Sequence, residues 1–216
     1  MGTEIADRPE AWPVEESHVR FDGAVVSVRS DVVRSPVDDS TFTRDVVVHP
    51  GAVAVVALDD ADRVLLVSQY RHPAGFRLLE IPAGLRDIEG ELPHECAARE
   101  LHEEGHVRAG DWRVLADIFS SPGMTDEALR VFLARDLTPV ADDERHAGVH
   151  EEADLPVVWA PLADVVAAVL AGHVQNATTA VGVLAAWTAR HGTGYDDLRP
   201  VSAAWPAGEP GRPTRH

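Results

Sequence analysis

Five charged residues within a short stretch carry the strongest chemical signal in the chain: Glu91, Arg99, Glu100, Glu103 and Glu104. Positions three and four apart lie on one face of an α-helix. Glu100, Glu103 and Glu104 therefore point the same way if this stretch is helical, and Glu91 approaches from the loop before it. Like charges packed so closely cost a helix roughly a few tenths of a kcal/mol per pair, which calls for a positive partner. Hard divalent cations such as Mg²⁺ take oxygen ligands and are held by one or two carboxylates together with substrate phosphates. The competing reading is a solvated acidic face, with Glu95 and Arg99 as an ordinary i,i+4 pair. For an isolated Glu-rich helix that reading would prevail.

The run does not stand alone. Its order and spacing resemble the signature of the Nudix hydrolases, Gly-x5-Glu-x7-Arg-Glu-U-x-Glu-Glu-x-Gly-U, where U is aliphatic. From Glu91 the match passes through seven intervening residues to Arg99-Glu100-Leu101-x-Glu103-Glu104 and ends at Val107. Gly84 lies seven residues before Glu91 where the general pattern has six, and this longer form, Pro82-Ala83-Gly84-x6-Glu91, resembles the ADP-ribose pyrophosphatase branch. His106 stands where the pattern has glycine, with Gly105 one place early, so Gly105 is expected to supply the left-handed residue that ends the helix. The likeness extends to His49-Pro50-Gly51-Ala52-Val53, Gln69-Tyr70-Arg71-His72-Pro73 and Leu79-Glu80-Ile81-Pro82 before the box. It continues to Pro122, about fifteen residues after the box, which is similar to the mark of ADP-ribose hydrolysis.

The resemblance implies an α+β fold, an α/β/α sandwich with a mixed sheet, preceded by a β-rich annex at residues 1–48 that pairs with a second subunit in a homodimer. The hydrolase domain is expected at 49–191 and a Gly/Pro-rich tail at 192–216. It also implies Mg²⁺, with Mn²⁺ as a substitute, held by Glu100, Glu103, Glu104 and the main-chain carbonyl of Ala83. Arg99 would orient the carboxylates by an ion pair, with Glu91 in a supporting role. The general base of this branch comes from an acidic loop well after the box, and His150-Glu151-Glu152-Ala153-Asp154 occupies the matching stretch. Glu151 is the first candidate and Glu152 the second; the alternative is a solvated acidic loop. Arg71 and the Arg44-Asp45 pair match positions where relatives hold phosphate and adenine or ribose, and a guanidinium suits phosphate through its bidentate fork. Either arginine is otherwise an ordinary strand-face charge. Phe21 is a candidate for stacking on the base. His49, His72, His94 and His102 lack the repeated helix-face spacing of a metal set and read as surface or core histidines.

Composition narrows the partners. At 216 residues the chain is long enough for a sizeable core. A formal net charge of −17 argues against nucleic acid as a partner, because that affinity depends on neutralising phosphates with Lys and Arg. A small nucleotide is compatible, since a metal and a few arginines invert the field locally. All 19 basic residues are arginine, a bias attributed to genomic base composition. The single cysteine, Cys96, fits a reducing cytoplasm and reads as a small buried hydrophobe beside Ala97 and Ala98. No leader and no run of eighteen apolar residues is recognisable, so a soluble, cytoplasmic protein with no membrane partner is expected.

The elements that must position the box follow from local pattern. Residues 1–18, polar with Pro9 and Pro13, read as a loose lead-in. β-Branched runs at 23–33 and 41–48 read as strands, and 53–58 with 64–70 as a hairpin around residues 59–62. The signature helix is expected to begin near Pro93, a favourable first helical residue. Further strands are expected at 113–119, 129–134 and 157–159. A helix at 161–171 should stop at Gly172, and Asn176 should cap a helix running to about His191. From His191 onwards the sequence lacks a period and reads as an extended tail, with Trp205 packing on the body rather than meeting an adenine.

The combined expectation is Mg²⁺-dependent hydrolysis of a nucleoside diphosphate sugar, ADP-ribose giving AMP and ribose 5-phosphate. The alternatives are another nucleotide sugar or a dinucleotide as substrate, or a non-catalytic ligand sensor of the same family. Intact carboxylates and the lack of a following basic helix-turn-helix segment count against the sensor.

Overall fold

The computed structural model describes residues 5–144 and 155–208. These group into two compact units, one holding the described residues up to His49 with Ser121–Glu127, the other Pro50–Ser120 with Ala128–Gly208.

In the larger unit the organising strand is β4 (Ala52–Ala57), whose Ala-Val-Ala-Val-Val-Ala sequence has no polar alternation because both of its faces are covered. Ala52, Ala54 and Val56 join a core with Leu66, Leu162, Val165 and Val183. Val53, Val55 and Ala57 join a second core with Leu65, Cys96, Ala97 and Leu101. β4 runs parallel to β9 (Ala128–Pro139) and antiparallel to the short β7 (Ala83–Leu85). The sheet continues from β9 to antiparallel β8 (Val107–Phe119) and the two-residue β11 (Arg199–Pro200). A second, antiparallel sheet has β5 (Arg63–Arg71) between β10 (Val157–Pro161) and β6 (Phe76–Glu80). Helix α1 (Pro93–Gly105) contributes to the second core, while α2 (Leu162–Leu170) and α3 (Ala177–His191) contribute to the first. This is the mixed sheet between helical layers that the resemblance implied.

α3 starts as expected, with Asn176 Oδ1 accepting the Thr179 N–H at 2.8 Å. Its approach to the sheet is close at Gly182, where a Cβ would meet Val56 Cγ2 at 2.9 Å. Thr179 Oγ1, fully buried, accepts the Ile81 N–H at 3.0 Å and so anchors the segment that leads into β7.

Three expectations for this unit need correction. The turn at residues 59–62 forms, with Leu58 bridged to Val64 and the Asp59 N–H on the Arg63 carbonyl at 3.1 Å, but the strands it joins enter different sheets instead of one hairpin. Their uninterrupted apolar runs suit burial on both faces, which a two-stranded ribbon does not give. Second, Gly105 does not supply the left-handed residue. His106 adopts it, with φ 53° and ψ 36°, and Gly105 stays in the helix, where a Cβ would crowd Leu101 and Leu65 at 3.1 Å.

Third, the tail expected from residue 192 is packed as far as Gly208. Arg130 of β9 is 2% exposed, and a buried guanidinium needs partners. It donates to Asp117 at 2.6 and 3.0 Å, and to the carbonyls of Ala203 at 2.8 Å and Ala204 at 3.0 Å. Arg199 adds a bond to Asp117 at 2.7 Å. Burial would raise the Asp117 carboxyl, but the hydrogen bonds from Arg130 and Arg199 outweigh it and hold the group below the usual carboxylate range. Trp205 is buried, as expected for packing.

The smaller unit is an antiparallel meander of β1 (Val14–Asp22), β2 (Ser27–Arg34) and β3 (Thr41–Val48). β1 corrects the loose lead-in. All nine of its residues are exposed, so its sequence shows no apolar alternation, and it is a strand because its backbone pairs with β2. The strand expected from residue 23 begins later, because Asp22-Gly23 opens a turn closed by the Gly23 N–H on the Val26 carbonyl at 3.0 Å. The interior of this unit is polar, with Arg29 Nε on Asp31 at 2.8 Å, both residues buried. The loop Ser121–Glu127 is tied to β3. The Val47 N–H donates to the Met124 carbonyl at 2.8 Å, the Asp126 N–H to the Val47 carbonyl at 3.2 Å, and the His49 N–H to Asp126 Oδ1 at 2.9 Å.

No helix among the described residues is long and apolar enough to cross a membrane.

Candidate metal and catalytic site

Helix α1 begins at Pro93, whose missing N–H is one the first turn cannot use in any case. Leu92 offers no side-chain cap, and the Glu95 carboxylate instead accepts the Leu92 N–H at 3.0 Å. Glu95 is therefore engaged in capping, while Arg99 points toward other carboxylates. The buried face consists of Cys96, Ala97, Glu100, Leu101 and Gly105, and the apolar members anchor the helix in the core. Leu101 is fully buried, and truncation to alanine at such a position costs about 2–5 kcal/mol. Glu100 shares this face and is carried into the protein with it.

Arg99 is the hub. Its Nε and Nη2 donate to Glu91 at 3.0 and 3.2 Å, and its Nη1 to Glu100 at 2.5 Å and to Glu103 at 3.4 Å. The guanidinium is pushed up, first by its hydrogen bonds to Glu91. Those same bonds hold the Glu91 carboxyl below its ordinary range. Glu104 Oε2 accepts the Ala83 N–H at 2.9 Å, which fastens the last turn of α1 to β7. One residue further, Gly84 lets the strand lie directly on Glu100; a Cβ there would fall 2.0 Å from the carboxyl carbon. Burial pushes the Cys96 thiol up to about 12, so it is an inert member of the core.

The structure thus brings Ala83, Glu91, Arg99, Glu100, Glu103 and Glu104 together where α1 meets β7. Carboxylates sharing one helix face beside a main-chain segment form a hard-oxygen donor set of the kind Mg²⁺ and Mn²⁺ take. Among the described residues, no three His, Cys, Asp or Glu side chains converge tightly enough to hold an ion as they stand. The physical reason is visible in the hydrogen bonds, since Glu100 and Glu103 are turned to Arg99 and Glu104 to the Ala83 amide. A carboxylate has about four lone-pair sites, so one N–H donor does not exhaust it and the residues fit a cation.

The other candidates are carried by other elements. Arg71 on β5 makes a two-pronged pair with the buried Glu80, at 3.0 and 2.7 Å. In the smaller unit, Arg44 lies over the Phe42 ring at 4.3 Å, and Asp45 Oδ1 accepts from Ser30 Oγ at 2.5 Å. Phe21 on β1 is 58% exposed. Glu151 and Glu152 lie outside the described residues. Sequence reasoning gave no part to Glu80, although Leu79-Glu80-Ile81-Pro82 was recognisable, nor to Arg86 and Gly208, and it read Trp205 as packing on the body without naming its partners. An isolated arginine or tryptophan carries no local signal of its partner.

Comparison with known proteins adds the family. Residues 48–180 match the NUDIX domain. The chain is 45% identical over 183 residues to the ADP-ribose pyrophosphatase of Mycobacterium tuberculosis (strain ATCC 25618 / H37Rv), covering 85% of this chain and 86% of that protein. It is 34% identical over 163 residues to the ADP-ribose pyrophosphatase of Bacillus subtilis (strain 168), covering 76% and 85%. A solved structure described as an ADP compounds hydrolase shares the fold with a TM-score of 0.69 at 22% identity, over 87% of this chain and 99% of that one. ADP-ribose pyrophosphatases of this family depend on divalent metals in general. With the domain spanning more than half of the sequence and the carboxylate cluster assembled on α1, this chain belongs to the Nudix family.

Proposed function

We propose that this protein hydrolyses the pyrophosphate bond of ADP-ribose, giving AMP and ribose 5-phosphate, with Mg²⁺ as the working ion and Mn²⁺ as a substitute. The observation that carries the chemistry is the cluster at α1 and β7, where Arg99 gathers Glu91, Glu100 and Glu103 and Glu104 bonds to Ala83. The choice of substrate is supported by the 45% identity to an ADP-ribose pyrophosphatase over 86% of its length.

Glu100, Glu103, Glu104 and the Ala83 carbonyl hold the cation in this reading. When bound, the cation supplies neutralisation of the phosphates and a lowered pKa for the attacking water. Arg99 keeps the carboxylates oriented, and Glu91 keeps Arg99 in place. Glu151, with Glu152 as the second candidate, takes the proton from the water as it adds across the phosphoanhydride; both lie outside the described residues. Arg71, Arg44 and Asp45 contact phosphate and the adenosine end, and Phe21 stacks on the base. Residues 1–48 act as an annex that pairs with a second copy and 49–191 as the catalytic domain, so the working form is a cytoplasmic homodimer. Light scattering that gives a monomer mass for actively hydrolysing protein would remove the dimer.

A panel of nucleoside diphosphate compounds, each with Mg²⁺ or Mn²⁺ and scored for phosphate after phosphatase coupling, tests the substrate. ADP-ribose should give the highest kcat/KM. A higher value for a dinucleotide or another nucleotide sugar would reassign it.

A further inference from the structure

The C-terminal segment reaches the carboxylate cluster through Arg86. Two residues after Gly84, Arg86 ends β7 by donating its main-chain N–H to the Gly51 carbonyl at 3.1 Å. Its Nη1 donates to the carbonyl of Gly208 at 2.5 Å. Its guanidinium lies 5.1 Å from the centroid of the Trp205 ring, and that of Arg130 lies 4.9 Å from the same ring. Gly208 packs directly on the indole, where a Cβ would fall 2.2 Å from a ring carbon. The indole is in turn fixed, because Arg130 holds the carbonyls of Ala203 and Ala204 and is itself held by Asp117. β7 is therefore clamped at both ends, by Glu104 on the Ala83 N–H and by Gly51 and Gly208 on Arg86.

We propose that Trp205 and Gly208, acting through Arg86, are positioning residues for the metal-site carboxylates: the C-terminal segment fixes the far end of β7, and β7 fixes Ala83 and Gly84 against Glu104 and Glu100. The inference rests on the reading that these carboxylates hold the cation. β7 has only three residues, so its few ladder bonds leave its placement dependent on side-chain anchors. A clasp that served stability alone would lower the melting temperature and leave the ion affinity unchanged.

The test is direct Mn²⁺ binding to the full chain, read from the electron paramagnetic resonance signal of free Mn²⁺, together with the melting temperature. Arg86→Gln and Trp205→Leu should each weaken Mn²⁺ binding by about threefold to tenfold, at or below the 10–100-fold typical of residues that touch a metal ligand directly. Trp205→Phe should recover most of the affinity, because a phenyl ring keeps an aromatic face for the two guanidiniums. Wild-type Mn²⁺ affinity in Arg86→Gln and Trp205→Leu overturns the inference, whatever happens to the melting temperature. If Trp205→Leu does not fold, Arg86→Gln decides alone. Glu104→Gln is measured alongside. Unchanged binding there overturns the ligand assignment and this inference with it, whereas weakened binding there with normal binding in the other two overturns this inference only.

Discussion

Replacing Gly84 with alanine probes the contact on which the cluster is built. An added Cβ falls 2.0 Å from Cδ of Glu100, 2.1 Å from Oε1 and 2.5 Å from Oε2. Ordinary van der Waals contact begins near 3.4 Å, so the carboxylate must withdraw by about 1.4 Å or strand and helix must part by a similar distance. Gly84 is not at positive φ, so this contact and not backbone strain decides the outcome. Glu100 cannot swing away freely, because Arg99 Nη1 holds its Oε1 at 2.5 Å and is tied in turn to Glu91 and Glu103. Overpacking typically costs about 1–3 kcal/mol, and the lower part of that range applies where the crowded atoms end a flexible side chain. The catalytic loss should be larger, since about 1 Å of misplacement in a reacting site costs on the order of 10²-fold. Initial rates of AMP release from ADP-ribose with Mg²⁺, taken beside thermal melting, read both quantities. Gly105→Ala is the control, because the nearest atoms to its Cβ are terminal methyls of the core residues Leu101 and Leu65, at 3.1 Å; its melting temperature should change and its kcat should not. A Gly84→Ala protein with kcat within about twofold of wild type, against the 10²-fold loss expected from such a displacement, would refute the close-packed role of this glycine.

Three further outcomes are expected. Glu151→Gln should lower kcat by about 10²–10⁴-fold with little change in KM, because the proton is taken in the transition state; if only Glu152→Gln does this, the base is Glu152. Cys96, buried with its thiol pushed up to about 12, should resist alkylation at pH 8 until denaturant is added, and rapid labelling of the native protein would contradict its place in the core. Asp117→Asn should cost about 3–5 kcal/mol at neutral pH by leaving the Arg130 charge buried without its partner. Because the folded Asp117 pKa is depressed, its contribution is complete above the unfolded value of about 3.9 and is lost as pH falls through the folded one. The stability gap between wild type and variant, measured by urea melts, should therefore shrink below about pH 4, and a gap that stays constant or widens there would contradict the pairing.

The site was legible where chemistry and local geometry coincide. Glu91, Arg99, Glu100, Glu103 and Glu104 sit on one helix and its leading loop, so sequence spacing alone brings them together. Asn176 was legible as a cap for the same reason, because its partner is only three residues away. The unbroken apolar runs of β4 and β5 marked buried strands but not which sheet each enters, since that is settled by partners far along the chain, such as β9 and β10. β1 was hidden because an exposed strand shows no apolar alternation, and its structure comes from backbone pairing with β2. The ordering of residues 195–208 was hidden because Gly- and Pro-rich composition reads as a tail. The force that orders it, the need of buried Arg130 for acceptors, lies on β9 some seventy residues earlier. The left-handed position fell to His106 and not to Gly105, which stays in the last turn of α1 against Leu101 and Leu65, tertiary neighbours that local spacing does not reveal.

The most direct measurement is product analysis after ADP-ribose is incubated with the purified protein and Mg²⁺, repeated with chelator and with Glu104→Gln. AMP and ribose 5-phosphate should appear in equal amounts, stop when the ion is removed, and fall by orders of magnitude in the variant. AMP release that persists in chelator or in Glu104→Gln, or no cleavage of ADP-ribose with either Mg²⁺ or Mn²⁺, would contradict a metal-dependent ADP-ribose hydrolase built on the α1 carboxylates.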